Sequence, residues 1–173
     1  MMLWYKPQNL ELRSWEPGLD EEGWEVVDDF FVPALPLENL KTKKKEELVQ
    51  AAASAYTEGF WSKATGETLF YDSEVEDQHI LESLYNRAQE KDWKTTERYK
   101  GICPAGQAPI RARKEVEGEK TVCFHTKEQL MQLGRDLETH ITAVKLKHWR
   151  LQERLQVAEN AQEIEQITWN EKD

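Results

Sequence analysis

The side chains that could do chemistry are four histidines, two cysteines and a large number of carboxylates. Cys123 and His125 lie two residues apart at the end of a predicted strand, a spacing that could bring a thiolate and an imidazole to one metal ion. No second ligand pair lies nearby, so we interpret the two residues as a solvent-facing strand end. Cys103 and Cys123 are too few and too far apart for a disulfide framework or a four-cysteine zinc site, and we expect both to be free thiols.

The carboxylates from Asp72 to Asp77 are the next candidate, because clustered carboxylates can bind calcium or act as a general acid and base. The segment lacks the spacing and the central glycine of an EF-hand loop. Instead, Ser73 to Glu76 has the pattern of a capping box, whose side chains satisfy free N–H groups at a helix start. The sequence also contains no nucleophile elbow, phosphate-binding loop or dinucleotide fingerprint. We therefore predict a protein that is not an enzyme and that has no catalytic residues, metal site or cofactor.

The charge balance narrows the class of partner. The net charge is −10 at pH 7, which disfavours nucleic acid because binding to phosphates relies on Lys and Arg. Two basic clusters are each followed directly by glutamates, which argues against a nucleic-acid patch. These clusters are Lys43, Lys44 and Lys45, followed by Glu46 and Glu47, and Arg111, Arg113 and Lys114, followed by Glu115. An acidic surface is typical of a soluble protein or of one that binds a basic protein. With no signal-peptide pattern and no apolar run of roughly 20 residues, we expect no membrane association.

The chain divides into three predicted parts. Residues 1–37 form a Trp-rich β module, since Trp4, Trp15 and Trp24 lie among turn-forming residues, and its best strand runs from Trp24 to Phe31. Residues 38–59 form a connecting helix with its apolar residues on one face. Residues 60–173 form an α+β domain. The predicted fold class is therefore α+β: a small N-terminal β-rich module, then helices alternating with short β-hairpins, ending in a long heptad-patterned helix and a short terminal helix.

Two hairpins and one helix are predicted at the start of the third part. The first hairpin turns at residues 64–67, between aromatic segments. The second has strands at residues 110–116 and 120–124 around a turn at residues 117–119, because apolar and polar residues alternate on both sides. The helix between them begins at the predicted capping box. Its buried stripe consists of Ile80, Leu81, Leu84, Tyr85 and Ala88.

A long helix from about Lys127 to Ala158 has the most regular pattern in the chain. It opens with a second capping pattern at Thr126 to Gln129, and a short helix capped by Asn160 follows it. Its apolar residues recur at heptad spacing, with His148 as the polar interruption, and such a run is long for a core helix alone. We therefore predict that it contacts another helix or a partner. The predicted partner-binding residues are Leu130, Leu137, Ile141, Val144, His148, Leu151 and Leu155 of this seam, with Trp4, Trp15 and Trp24 of the first module.

Several roles for this seam stay open. It can close within the chain, form a homo-oligomer or meet a different protein. A histidine at a heptad core position can set register or oligomeric state, and it can act as a pH switch. The simpler interpretation is a partly exposed His148 that is hydrogen-bonded by a neighbour.

The stretch from Lys43 to Trp169 resembles a phage tail-associated domain found in tail fibre and tail fibre assembly proteins. The resemblance rests on an aromatic hairpin that leads into the segment Leu69 to Gln78, and on a helix that ends before Trp93. It continues with the hairpin that closes on Val122 to Leu130, the long helix through His140 and Ile141, and the terminal segment Ile164 to Trp169. It covers about three quarters of the chain.

This resemblance implies a tail fibre assembly chaperone that binds the phage tail fibre protein and assists its folding or trimerisation. Such a protein would work in the host cytoplasm during assembly. The alternative is a structural tail fibre or baseplate component that is retained in the virion tail. A third hypothesis, a polysaccharide depolymerase or an endolysin-like hydrolase, lacks the paired catalytic residues that it requires.

Overall fold

The computed structural model of the protein describes residues 2–6, 11–14, 24–28, 36–90, 101, 103–104 and 106–171. Within these ranges short antiparallel sheets alternate with helices, and a long helix and a short helix end the described chain. The predicted α+β fold class is therefore confirmed. No helix within the described ranges is both long and apolar enough to cross a membrane.

The first strands form a small antiparallel sheet. Strands β1 (Met2–Lys6), β2 (Glu11–Ser14) and β3 (Glu25–Asp28) lie in the order β2-β1-β3. The predicted strand from Trp24 to Phe31 is present as β3, and its last residues, 29–31, lie outside the described part of the chain. The short strands expected for this region are thus confirmed where it is described.

Helix α1 (Leu37–Thr57) follows Pro36, which suits a helix start because its fixed φ and missing N–H cost nothing there. Leu48, Ala52 and Ala55 are its buried residues. The chain then reverses at Gly59, whose φ of +97° favours glycine. A Cβ atom at this position would lie 2.4 Å from the ring of Phe70, so space as well as backbone conformation requires glycine.

Two hairpins follow, each a two-stranded antiparallel sheet, and one isolated bridge links them. They consist of β4 (Phe60–Ser62) with β5 (Leu69–Tyr71), and β6 (Ala108–Ala112) with β7 (Thr121–His125). The main chains of Phe70 and Arg113 exchange two hydrogen bonds of 2.8 and 3.0 Å, which link β5 to the end of β6. The hairpins β4-β5 and β6-β7 therefore lie side by side, with β5 next to the end of β6.

The predicted register of the second hairpin is wrong. Ala112 pairs with Thr121, so the connection runs from 113 to 120 rather than through a tight turn at 117–119. The physical reason is a turn earlier in the connection. The N–H of Gly118 donates to the carbonyl of Glu115 over 2.9 Å, so the chain reverses at residues 115–118 and the strands do not pair up to residue 116.

Helices α2 (Val75–Ala88) and α3 (Lys127–Val157) cover one face of this sheet, and α4 (Ala161–Gln166) closes the other end of α3. In the first half of α3, Leu133 and Leu137 pack with Phe60, Leu69 and Tyr71. In its second half, Leu151 and Leu155 form a separate cluster with α1 and α4, whose members also include Leu48, Ala158, Ile164 and Ile167. The heptad seam is thus buried inside the chain along most of its length.

Helices α1 and α3 run antiparallel and are tied near both ends. The Nε2–H of His140 donates to the carbonyl of Ala55 over 3.1 Å. At the other end the ammonium of Lys41 donates to the carbonyl of Gln156 over 2.9 Å, where the negative end of the α3 dipole favours a cation. These contacts fix how far one helix is shifted along the other.

Two of the three predicted caps are confirmed. Thr126 and Gln129 form a complete capping box at the start of α3, and the side chain of Asn160 accepts from the N–H of Glu163 at the start of α4. The predicted capping box at Ser73 is wrong, because Glu74 is the N-cap of α2 and makes no side-chain cap.

Ile80, predicted in the buried stripe of α2, is 49% exposed.

The close approach of α2 and α3 depends on Gly134, a residue that the heptad pattern does not single out. A Cβ atom there would lie 2.4 Å from Cδ2 and 2.8 Å from Cγ of Tyr85. The base of an aromatic ring cannot move aside as a flexible side-chain end can. The absence of a side chain at this position therefore sets the distance between the two helices.

We predict that Gly134→Ala destabilises the fold by about 1–3 kcal/mol through overpacking against Tyr85. This outweighs the gain of about 1 kcal/mol that Ala brings over Gly in a helix. Urea unfolding measures the difference. Thr142→Ala, at an exposed position of the same helix, is the control and should unfold at or slightly above the wild-type midpoint. A stabilised Gly134→Ala protein would contradict the close packing.

Candidate functional site

Most of the predicted seam residues belong to the core of the protein. Their exposed fractions are 2% for Leu130, 6% for Leu137, 8% for Val144, and 5% for both Leu151 and Leu155. Ile141 is partly buried against the same core. These side chains are covered by the chain's own helices and hairpins, so they cannot contact a partner directly in this structure. They could meet a partner only if α3 separated from its neighbours.

The remaining predicted contact residues lie apart from one another. His148 is partly buried, with its ring centroid 6.5 Å from that of Trp169, and its Nε2 is buried without a hydrogen-bond partner within the described residues. The interpretation of a hydrogen-bonded histidine is therefore not supported at that atom. Trp24 is partly buried, and Lys6 Nζ lies 5.6 Å from its ring centroid. Trp4 contributes its backbone to β1, while its side chain and the whole of Trp15 lie outside the described part of the chain.

A different surface collects exposed apolar side chains. On β7, Cys123 and His125 point toward the helices, so Val122 and Phe124 point away from them, and they are 56% and 41% exposed. On β4 the same alternation leaves Trp61 outside, 47% exposed. We call the side of the two bridged hairpins that faces away from the helices the open sheet face. Its side chains come from Trp61, Phe70, Pro109, Arg111, Arg113, Val122 and Phe124.

The middle of the open sheet face is held rigid by a stack of side chains. Phe70 is only 5% exposed, because the Trp61 ring packs edge-on against it at 5.1 Å and the Arg113 guanidinium covers it at 4.9 Å. Asp72 fixes Arg113 through a contact of 2.7 Å and holds Lys120 at the same distance. Trp61 is therefore presented in a defined orientation.

The rim of this face adds a further apolar residue. Ile80 of α2 lies with Pro109 and Arg111 around a shallow cavity of about 220 Å³, together with Asp72 and Asp77. Burial raises the pKa of Asp77, and the neighbouring charges of Asp72 and Glu74 raise it further. Exposed aromatics beside arginine, with charged groups at the edge, are typical of the surfaces with which proteins bind other proteins.

A buried polar pair supports the face from below. His125 is fully buried, so the interpretation of Cys123 and His125 as a solvent-facing strand end is wrong. His125 Nδ1 lies 3.1 Å from the carbonyl of Cys123, which can only accept, so Nδ1 carries the proton and Nε2 accepts from the Tyr71 hydroxyl at 2.9 Å. Burial lowers the pKa of His125 and raises that of Tyr71 to about 12. Both groups are therefore neutral at pH 7.

Ser73, whose predicted role was capping, is part of a second buried network. Its hydroxyl donates to the carbonyl of Tyr56 at 2.8 Å and accepts from the N–H of Gly59 at 2.9 Å. The amide of Gln78 donates to the carbonyls of Ser73 and Tyr56. These bonds join the end of α1, the start of β4 and the first turn of α2, so their role is to position the sheet.

The remaining candidates for chemistry are the metal-ligating and nucleophilic side chains. No group of three or more His, Cys, Asp and Glu side chains within the described ranges could hold a metal ion. Ser62 donates to Asp136 at 2.5 Å, but its oxygen also accepts from the N–H of Ala64 and so serves the hairpin turn. Cys103 and Cys123 are free, as predicted.

The signal for this face was present in the sequence. Val122 and Phe124 alternate with Cys123 and His125, and Trp61 lies between two inward residues of β4. The alternation identifies two faces but does not say which one the helices cover. The buried stripe of α2 was predicted correctly at Leu81, Leu84 and Ala88, but Ile80 was wrongly included in it.

We predict that stability decreases as the pH falls below 6.5, because the pKa of His125 is lower in the folded chain than its ordinary value of 6.5. Below that value the unfolded chain binds a proton that the folded chain resists, so the stabilisation is present above pH 6.5 and is lost toward acid. Urea midpoints between pH 7.5 and 5.5 measure the slope. The change of the urea midpoint with pH should be smaller in His125→Gln. It should be unchanged in His79→Gln, which alters an exposed histidine. Equal slopes in all three proteins would contradict the assignment.

Comparison with known proteins adds no family to this description. No family model matches the chain, and neither curated proteins nor solved structures give a match. The functional proposal therefore depends on the open sheet face and on the resemblance carried by the sequence motifs.

Proposed function

We propose that this protein is a phage tail fibre assembly chaperone that binds the immature tail fibre protein through its open sheet face. The observation that carries the proposal is the exposure of Trp61, Val122 and Phe124 on the same side of the two bridged hairpins. The resemblance of residues 43–169 to tail-associated domains supplies the fibre as the partner. On this proposal the protein acts in the host cytoplasm during assembly.

The physical basis of the interaction is burial of apolar surface. An aromatic side chain can bury roughly 150–250 Å² on contact, so Trp61 and Phe124 can supply the anchors of an interface. The Phe70 ring, which Arg113 covers, packs against Trp61 before binding and so reduces the side-chain entropy that is lost when a partner covers Trp61. Tryptophan is one of the residues most often found in energetic hot spots.

The charge of the chain suits a chaperone of aggregating strands. Immature β-rich fibres expose strand edges and apolar surface, which associate unless another protein covers them. A net charge of −10 makes separate chaperone complexes repel one another, which limits their association in solution. Arg111 lies within the face and gives it a positive group, so acidic side chains of the client are attracted there.

Co-expression with the tail fibre gene tests the proposal, with Trp61→Glu as the informative variant. We expect the wild-type protein to increase the yield of soluble fibre trimer and Trp61→Glu to lose most of this effect, since a carboxylate would be buried at the contact. Trp149→Glu is the matched control, because Trp149 is 49% exposed on α3, away from the sheet. It should retain wild-type activity, and thermal unfolding should show both variants folded.

Three outcomes decide against the proposal. Fibre solubility that does not change with the wild-type protein would reject the chaperone function. An equal loss of soluble fibre trimer with Trp61→Glu and with Trp149→Glu would reject the open sheet face as the contact. Stoichiometric retention of the protein in purified particles would favour the alternative, a permanent structural component of the tail.

A further inference from the structure

Helices α1 and α2 follow one another along the same side of α3. Helix α2 is antiparallel to α3, because its last residue, Ala88, packs with Leu130 near the start of α3. Gln78, near the start of α2, lies beside Ile141 further along α3. The Gln78 amide also donates to the carbonyl of Tyr56 at the end of α1, and α1 lies antiparallel along the second half of α3.

Two shallow grooves result, one between α3 and α2 and one between α3 and α1. We call them the α2 groove and the α1 groove. Glu138 of α3 lines the α2 groove, and Gln156 of α3 lines the α1 groove. These residues are 18 positions apart, which is about five full turns at 3.6 residues per turn. The two grooves therefore open on the same side of α3.

The two grooves differ in charge. Glu82 and Glu138 line the α2 groove, and its described lining contains no lysine or arginine. Lys41 and Lys45 line the α1 groove, with Glu38 as the one acidic residue of that lining. Within the described ranges Glu82, Glu138 and Lys45 belong to no ion pair. One face of the molecule thus carries an acidic groove at one end and a basic groove at the other.

Exposed apolar side chains lie between the two charged ends of this face. Trp149 precedes Gln152 of the α1 groove by one helical turn, and Val49 follows Lys45 by one turn, so both extend the line of that groove. Val75 lies two turns before Glu82 on α2 and extends the line of the α2 groove. The exposed fractions of the three apolar side chains are 49% for Trp149, 45% for Val49 and 62% for Val75.

We propose that this face pairs with the same face of a second copy of the chain. The two-fold axis lies in the interface, perpendicular to α3, and crosses α3 between Lys145 and Trp149, midway between Glu138 and Gln156. The two α3 helices then run antiparallel across the contact. The α2 groove of each copy faces the α1 groove of the other, so the acidic and basic ends meet twice. A two-fold interface requires this kind of self-complementarity.

The charged ends of the face fit this arrangement. Lys45 of one copy lies across from Glu82 of the other, and the two side chains lean toward each other because helical side chains tilt toward the N-terminus of their own helix. Lys41 lies across from Glu138 in the same way. Its ammonium donates to the Gln156 carbonyl within its own chain, which leaves two N–H groups for a carboxylate of the second copy.

The apolar middle of the face is covered at the axis. Val49 of one copy lies opposite Val75 of the other. Lys145 of one copy lies opposite Trp149 of the other. Within each chain the Lys145 ammonium already lies 4.9 Å from the centroid of the Trp149 ring, so the cation–π contact is extended across the axis. The residues that a monomer leaves exposed here are therefore the ones that the dimer buries.

The dimensions of the face are sufficient for a dimer. It extends along residues 134–156 of α3, about 34 Å at 1.5 Å per residue. Two helix rows about 9 Å apart make it roughly 18 Å wide. The interface would bury about 1,200 Å² in total, the lower end of the range for specific interfaces. We therefore expect a dimer that dissociates on dilution.

This inference goes beyond the chaperone function and does not depend on it. The open sheet face lies on the side of the hairpins that faces away from the helices, whereas Trp149 lies on the outer side of the helices. Trp149→Glu should therefore lose the dimer and keep the effect on the fibre. Trp61→Glu should keep the dimer and lose the effect on the fibre. The failure of one proposal is thus distinguishable from the failure of the other.

Light scattering after size-exclusion chromatography, over a concentration series at low salt, tests the pairing. We expect the wild-type protein to shift from monomer to dimer, and Lys45→Glu to remain monomeric at concentrations where the wild type is dimeric. Lys43→Glu is the matched control, because it makes the same charge change at an exposed residue of α1 that does not line the groove. Lys45→Glu combined with Glu82→Lys in one chain should restore the dimer, since both contacts are then reversed in sign.

Three results of this series would overturn the proposal. The first is a wild-type protein that stays monomeric at every concentration. The second is a dimer of equal strength in the wild type, Lys45→Glu and Lys43→Glu. The third is a monomer whose effect on the fibre is lost in Trp149→Glu, which would assign this face to the fibre and reject the second copy.

Carbodiimide cross-linking of a mixture of ¹⁴N-labelled and ¹⁵N-labelled protein tests the register. Lys45 lies beside Gln152 and Glu82 lies beside Gly134, so within one chain they are about 27 Å apart along α3. We expect Lys45–Glu82 cross-links that join one ¹⁴N peptide to one ¹⁵N peptide. Mixed-label cross-links between Lys45 and Glu38 in place of Glu82 would overturn the antiparallel register.

Discussion

The pairing of Phe70 with Arg113 is the contact on which the candidate site depends. Their two main-chain hydrogen bonds join hairpins from distant parts of the chain, and the Arg113 side chain then covers the Phe70 ring. Asp72, next to the bridge, forms ion pairs with both Arg113 and Lys120. Without this pairing the two hairpins would be separate ribbons, and Trp61 would lose the stack that orients it.

Helix α3 supports this sheet and carries the rest of the core. Its first half packs on the sheet and on α2, and its second half packs on α1 and α4. The regular heptad pattern therefore reflects two different clusters that follow one another along a single helix. This explains why a seam that resembles a coiled coil closes within the chain, and why the exposed apolar side chains lie on the sheet instead.

Local sequence patterns correctly predicted the elements whose limits depend on short-range interactions. The cap at Thr126, the cap at Asn160 and the limits of α1 and α3 follow from short-range hydrogen bonding and helical periodicity. The turn at residues 115–118 of the second hairpin was missed, and the burial of His125 was missed because it depends on residues far away in the chain. The candidate site was missed for the same reason, since an alternating strand has two faces and only tertiary packing decides which one is covered.

We propose that a fibre protein covers the open sheet face. Hydroxyl-radical footprinting of the free protein and of its complex with the fibre measures this directly, because it reports the solvent access of individual aromatic side chains. The account predicts that Trp61 and Phe124 become protected in the complex while Trp149, which has a similar exposure on α3, keeps its reactivity. Protection of Trp149 with unchanged reactivity of Trp61 would contradict the account.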